Sequence, residues 1–320
     1  MPVYNGAAHL TEALESIGGQ TLGDFEAIVV DDGSTDGTPQ ILADWARRDP
    51  RFRIVRHPAN QNVACARNTG LALARSALVL HADADDVNAP ERFAAQVQAA
   101  ERHPAMAIIG AGMRGEGGRI WRYPATSAAI RARMLWECPF GQNAVLFNRE
   151  VLGDVRYDPA LSICEDADLW LRCVFRHPTM NLPEPLVFYR EHAVSLSRDV
   201  SGLRLRLDRL VMARRGAILG LTIDIDAGLA CHLGNRLMDV GAARIAAHVL
   251  ALGRRAFALG LAPAAVLQAE GRRRIHWLWR WYGRRQMGRE LPALVAATTR
   301  LWLGLAQLKD APRDAANLPV

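Results

Sequence analysis

The chain has 320 residues, half of them hydrophobic and 22% charged, which suits a folded globular protein and excludes a disordered or low-complexity one. Its net charge of +6 is unevenly spread: residues 1–200 hold 20 Arg against 25 acids (−5), and residues 201–320 hold 18 Arg and one Lys against 8 acids (+11). Five cysteines without a Cys-x-x-Cys pair argue for reduced thiols in a cytoplasmic protein, against a disulfide framework or a zinc site. The start shows no basic-then-apolar leader, so no signal peptide is expected. The most apolar stretches, such as 256–269, fall short of the roughly 20 residues a spanning helix needs.

In chain order, Pro2-Val3-Tyr4-Asn5-Gly6 is turn chemistry that normally closes a hydrophobic run, yet only Met1 precedes it. A helical pattern follows over 7–19. Residues 25–30 (FEAIVV) form a strand-like run ending in DDGSTDG, and helical patterns return over 36–48 and 62–75. A second apolar run, 76–82, ends in DADD and precedes a helix over 90–102. Further strand candidates lie at 105–112, 143–148 and 184–189, with a helix over 165–176 between the last two. Apolar runs alternating with amphipathic helices predict an α/β domain over 1–200, its sheet mainly parallel with helices on both faces. Ligands of such sheets bind at the carboxyl ends of strands, where the acidic clusters sit. Residues 201–320 read as a helical, basic region rich in Ala, Leu and Arg.

Five segments suit chemistry, each with a bland alternative. Asp31 and Asp32 in VVDDGSTDGT fit an Asx turn before a capped helix, or acceptors for a base N–H or a ribose hydroxyl. Asp83, Asp85 and Asp86 in HADADD are hard oxygen ligands for Mg²⁺ or Mn²⁺ and thereby for a diphosphate; alternatively they form a solvated loop with Asp86 or Asn88 as an N-cap. Arg67 in ACARNTG suits a base or phosphate, or a surface ion pair on its own helix. In SICEDADLWLR, Ser162-x-x-Glu165 fits a capping box and Asp166 suits the helix dipole, while Asp166 also suits a general base facing a cleft. Arg190 and His192 in FYREHAVSLS suit phosphates or a metal, or a structural role.

Taken together and in order, PVYNG, SIGGQTLGDFEAIVVDDGSTDGT, ARNTGLALA, DADD, ED and YREH resemble the family 2 glycosyltransferases of the GT-A fold, such as bacterial polysaccharide and O-antigen enzymes. The likeness runs from Pro2 to about Ser197. It implies a Rossmann-like mixed sheet flanked by helices, with Pro2, Tyr4, Asp31, Asp32 and Arg67 lining the nucleotide site. It further implies a metal and diphosphate site at Asp83 and Asp85 beside Asp86, and a catalytic base, Asp166, partnered by Glu165. His192 and Arg190 would lie on the metal or diphosphate. The expected reaction is inverting transfer from a uridine-linked sugar nucleotide to a glycan or lipid-linked acceptor. Loop 113–142 would shape the sugar and acceptor pockets.

One departure matters. Family members normally begin with several apolar residues of a first strand, here reduced to Met1, so unpaired backbone is expected on the neighbouring strands and a Val/Ile-rich run upstream. A non-catalytic nucleotide-binding or scaffold protein is the alternative. A nucleotidyltransferase is disfavoured, because no Gly-rich, Lys-containing phosphate loop lies near the start. Over 270–305, Trp277, Trp279, Trp281 and Tyr282 lie among arginines. This suits peripheral association with the inner face of the cytoplasmic membrane, or aromatics packed on the catalytic domain; nucleic acid is not expected.

Overall fold

The computed structural model describes residues 1–191, 202–233, 240–282 and 291–308; the His192 assignment lies outside them. The amino-terminal elements are β1 (Pro2–Val3), α1 (Ala7–Gly18), β2 (Ala27–Asp31), α2 (Thr38–Arg48), β3 (Phe52–Arg56), α3 (Val63–Leu73), β4 (Leu78–Leu80), β5 (Val87–Asn88) and α4 (Arg92–Arg102). There follow β6 (Ile108–Gly115), β7 (Ile120–Trp121), α5 (Ser127–Met134), β8 (Val145–Asn148), α6 (Arg149–Leu152), α7 (Glu165–Cys173) and β9 (Thr179–Tyr189). The remainder is helical: α8 (Gly202–Leu219), α9 (Ile225–Leu233), α10 (Ala242–Ala258), α11 (Ala264–Tyr282) and α12 (Leu291–Ala306).

Two compact units emerge. The first comprises Met1–Ala125, Phe140–Leu169 and Arg176–Val200; the second comprises Thr126–Pro139, Trp170–Phe175 and Ser201–Val320. In the first unit, β1, β2 and β3 form a parallel three-stranded sheet with β2 in the middle. Val29 and Val30 of β2 are fully buried, as a strand covered on both faces requires. Leu10, Leu14 and Ile17, at helical spacing on α1, pack with Val29, Leu42, Phe52 and Phe93 in one core cluster.

The second sheet departs from the expected mainly parallel arrangement. Its order is β4-β8-β6-β9-β5, with β7 on β6, and only β6–β9 is parallel. Hydrophobic runs report burial, but the direction of pairing depends on partners far away in sequence, such as Ile108 with Thr179. The unpaired backbone expected beside a shortened first strand is also absent from β2. Val30 N–H donates to Met1 O at 2.9 Å, Asp32 N–H to Val3 O at 2.8 Å, and the Met1 amino group to Ile28 O at 2.8 Å.

In the second unit, α10 buries Ile245, Val249, Leu252 and Ala256 along one stripe. Gly271 lets α11 approach α12 closely, since a Cβ there would fall 2.0 Å from a Leu305 methyl. Glu270 on α11 takes ion pairs from Arg133 at 3.0 Å and Arg274 at 3.2 Å, so part of the tail's basic character is spent internally. Among the described residues, no helix is long and apolar enough to cross a membrane.

Candidate active site

The turns after β1 and β2 are laced together. Asn5, at a φ of 49°, donates its N–H to Ser34 Oγ at 2.9 Å, and its side chain accepts Thr35 N–H at 2.8 Å. Gly6 N–H donates to Thr38 Oγ1 at 3.0 Å. Gly33 adopts a φ of +79°, and an added Cβ would lie 2.7 Å from the Ala59 backbone; only glycine fits both demands. Pro2 belongs to β1, and the Tyr4 side chain is 49% exposed beside this double turn.

Asp31 and Asp32 are both buried. Asp31 Oδ1 closes an Asx turn by accepting Ser34 N–H at 2.9 Å, and Oδ2 lies 3.3 Å from Arg56 Nε. Asp32 accepts Gln61 N–H at 3.0 Å and His57 Nδ1–H at 2.6 Å; His57 Nε2 in turn lies 2.9 Å from Thr69 Oγ1. His57 is a partner the sequence reading missed, and it sits just beyond β3, a strand that reading also missed.

Arg67 is the hub. Asn62 caps α3, accepting Cys65 N–H at 3.2 Å, and a buried face of the helix carries Arg67 inward. Arg67 Nη2 donates to Asp83 Oδ1 at 3.0 Å, and Nη1 donates to Glu165 Oε1. Its guanidinium stands 5.6 Å from the Tyr157 ring centre. Asn68 fixes that ring's backbone, exchanging 2.8 Å hydrogen bonds with Tyr157 N–H and C=O. The guanidinium therefore joins the turn after β4 to the start of α7, in place of an ion pair on its own helix. Asp83, Glu165 and Asp166 all act on it, raising its pKa against the cost of burial.

Glu165 does not form the expected capping box. Helix α7 begins at Glu165 itself, so the residue sits two positions too early to reach back, and its carboxylate goes to Arg67. Burial lifts Glu165 to about 7 even with Arg67 opposing. Asp166, the next residue, is half-buried, and its Oδ1 accepts the Ala167 N–H at 2.7 Å. A carboxylate in that first turn is favoured by the helix dipole.

The acidic turn after β4 is supported from beneath. Arg92, fully buried on α4, donates to His81 O at 2.6 Å and to Gln96 at 3.0 Å; burial lowers its pKa to about 9. Asp86 is held within the protein on both of its carboxylate oxygens. Its Oδ1 accepts Arg190 N–H at 2.8 Å and its Oδ2 accepts the Asn143 amide, while burial and then the charges of Asp83 and Asp85 lift its pKa to about 7. Arg190 donates to Asp85 O at 3.1 Å and to Glu12. Asp83, paired with Arg67, and Asp85 are hard carboxylates in the same turn, and that donor chemistry fits Mg²⁺ or Mn²⁺. Among the described residues, no group of three or more His, Cys, Asp or Glu forms a ready-made metal site.

A parallel three-stranded sheet and a mixed one, flanked by helices and with an acidic turn after β4, make an α/β architecture of the GT-A type. The model of "Glycosyl transferase family 2" matches residues 1–155. The chain is 33% identical over 189 residues to the amylovoran biosynthesis glycosyltransferase AmsE of Erwinia amylovora, covering 57% of this chain and 70% of that one. It is 29% identical over 218 residues to the uncharacterized glycosyltransferase EpsJ of Bacillus subtilis, covering 62% of this chain and 61% of EpsJ. The chain thus belongs to glycosyl transferase family 2. Among solved structures, S. aureus TarS 1–349 in complex with UDP-GlcNAc superposes with a TM-score of 0.60 at 19% identity, over 98% of this chain and 93% of that one. The mannosyltransferase PcManGT of Pyrobaculum calidifontis, in complex with GDP-Man and Mn²⁺, gives a TM-score of 0.54 at 21% identity, over 97% and 86% of the two chains.

Proposed function

We propose that the protein is an inverting glycosyltransferase of polysaccharide biosynthesis, with 1–200 as its catalytic domain and a uridine-linked sugar nucleotide as donor. Its acceptor is a hydroxyl of a glycan or of a lipid-linked sugar. The observation that carries this reading is the convergence on Arg67, which draws Asp83 of the acidic turn and Glu165 of the ED pair to one cation. The nucleotide sugars held by TarS and PcManGT favour a nucleotide-sugar donor, and the UDP-GlcNAc of TarS favours a uridine-linked one.

In this reading Asp166 removes the proton from the acceptor hydroxyl as its oxygen attacks the anomeric carbon opposite the diphosphate. Glu165 holds the guanidinium and so fixes the start of α7. Asp83 and Asp85 hold Mg²⁺ or Mn²⁺, which supplies charge neutralisation for the departing diphosphate. Tyr4 and the double turn border the nucleotide, and Asp32, loaded by His57 and Gln61, shapes the base site from within. Loop 113–142 contributes to the sugar and acceptor pockets.

The test is release of nucleoside diphosphate from UDP-, GDP- and dTDP-sugars with Mn²⁺ and a glycan acceptor. Asp166→Asn is expected to abolish release while donor binding by calorimetry persists. Turnover unchanged in Asp166→Asn would refute the base assignment, and donor binding without any turnover by the unmodified protein would favour a scaffold.

A further inference from the structure

Helix α12 packs against α10 and α11 through Leu294, Ala297, Leu301 and Leu305, all buried. Its opposite face should be polar if water covered it. Instead Val295 is 45% exposed, Trp302 54% and Leu303 49%, with Ala293, Ala296 and Ala306 beside them and Thr299 as the uncharged polar residue among them. Arg300 is the only charged residue of the helix. Contiguous apolar exposure of this kind marks a binding surface.

The neighbouring helix extends the patch. Gln268 Nε2 donates to Leu305 O at 3.2 Å and Leu308 O at 3.1 Å, so the α11 stripe that includes Gln268 borders α12. Residues 272, 275 and 279 continue that stripe at helical spacing. Arg272 on it is exposed, and Trp279 is 39% exposed. The only acid in α11 and α12 is Glu270, which is buried and paired with Arg133 and Arg274. The exposed charges of the patch on these two helices, Arg272 and Arg300, are therefore both positive.

We infer that this outward face of α12, with Arg272 and Trp279 of α11, lies on an anionic lipid surface. A bilayer of that kind offers both things the face asks for, an apolar layer for Val295, Trp302 and Leu303 and anionic headgroups for Arg272 and Arg300. A second copy of the chain meets only half of that demand, because a two-fold contact sets arginines against arginines with no exposed acid on either helix between them. With 16 residues, α12 is too short to span the bilayer, so it lies in the interfacial plane.

The experiment is flotation of the full-length protein with vesicles of phosphatidylcholine alone or mixed with phosphatidylglycerol. Binding to the mixed vesicles that weakens with added salt is expected. Trp302→Glu combined with Leu303→Glu should reduce it at least tenfold, and Arg272→Gln and Arg300→Gln about fivefold each. Both sets change exposed side chains, and unchanged thermal melts will show that the fold is kept. No flotation of the unmodified protein with phosphatidylglycerol vesicles would overturn the inference, as would equal flotation of the double-Glu variant. It would also fall if sedimentation revealed a dimer that the double-Glu change dissociates without lipid present. None of these outcomes bears on catalysis.

Discussion

Replacing Arg67 with Met keeps most of the side-chain volume and removes the charge that Asp83 and Glu165 share. At the observed 3.0 Å between Arg67 and Asp83, an effective dielectric of about 20 gives an attraction of about 5 kcal/mol before desolvation. Asp83 is 28% exposed and recovers part of that from water, whereas Glu165 at 9% cannot. Leaving a buried charge unpaired costs about 3–5 kcal/mol. Glu165 is already raised from 4.5 to about 7 with Arg67 in place, and without it the value climbs further. A carboxyl raised in the folded state contributes stability that is complete below its unfolded value and is lost as pH rises through the folded one. At pH 5 the variant's Glu165 therefore binds a proton and the penalty shrinks to about 1 kcal/mol, while at pH 8 the full cost remains. Thermal melts should show Arg67→Met falling by about 10 °C at pH 8 and by about 3 °C at pH 5. Arg67→Lys restores one ion pair but not the fork, and should lie between the two. Equal losses at both pH values would refute a charge-based role for Arg67 and leave only packing.

Three other outcomes follow from the same geometry. Gly33→Ala forces a side chain into the Ala59 backbone at positive φ; it should lower stability by about 2–4 kcal/mol in urea titrations and weaken nucleotide binding. His57→Ala removes the 2.6 Å donor to Asp32, so the donor KM should rise about tenfold with kcat nearly constant. Asp83→Asn should lower Mn²⁺ affinity at least tenfold by calorimetry in the presence of nucleoside diphosphate, whereas Asp86→Asn, whose carboxylate faces Asn143 and Arg190, should change it less than threefold.

Much of the first unit was legible because its signals are local. Turn residues after Val30 and Leu80 mark the carboxyl ends of β2 and β4, and periodic apolar residues outline α1 to α4 within two residues. Strand β3 was hidden because Arg51, Arg53 and Arg56 interrupt its apolar residues, one of them stacking on Phe25 at 4.3 Å. The antiparallel pairings of β8 with β4 and β6 were not legible, since nothing in a short apolar run encodes the direction of a distant partner. Among site residues, the types and order of Asp83, Glu165 and Arg67 were informative, but their shared bond was not. Ser162-x-x-Glu165 illustrates the limit: the spacing satisfies a capping rule, while the helix starts two residues later than that rule assumes.

Arg67 and Glu165 are 98 residues apart in sequence, while Arg67 and Asp83 are only 16 apart. At synthesis rates of about 5–20 residues per second, the ribosome releases Glu165 some 5–20 s after Arg67. For that interval a nascent chain can assemble β1 to β3 and α3 with Asp83 as the only nearby acid of the pair. The ED segment closes the cluster last, so the Arg67 ion pairs are complete only after most of the first unit has been synthesised. A ribosome stalled between residues 125 and 165 would thus hold a folded sheet with an unfinished centre.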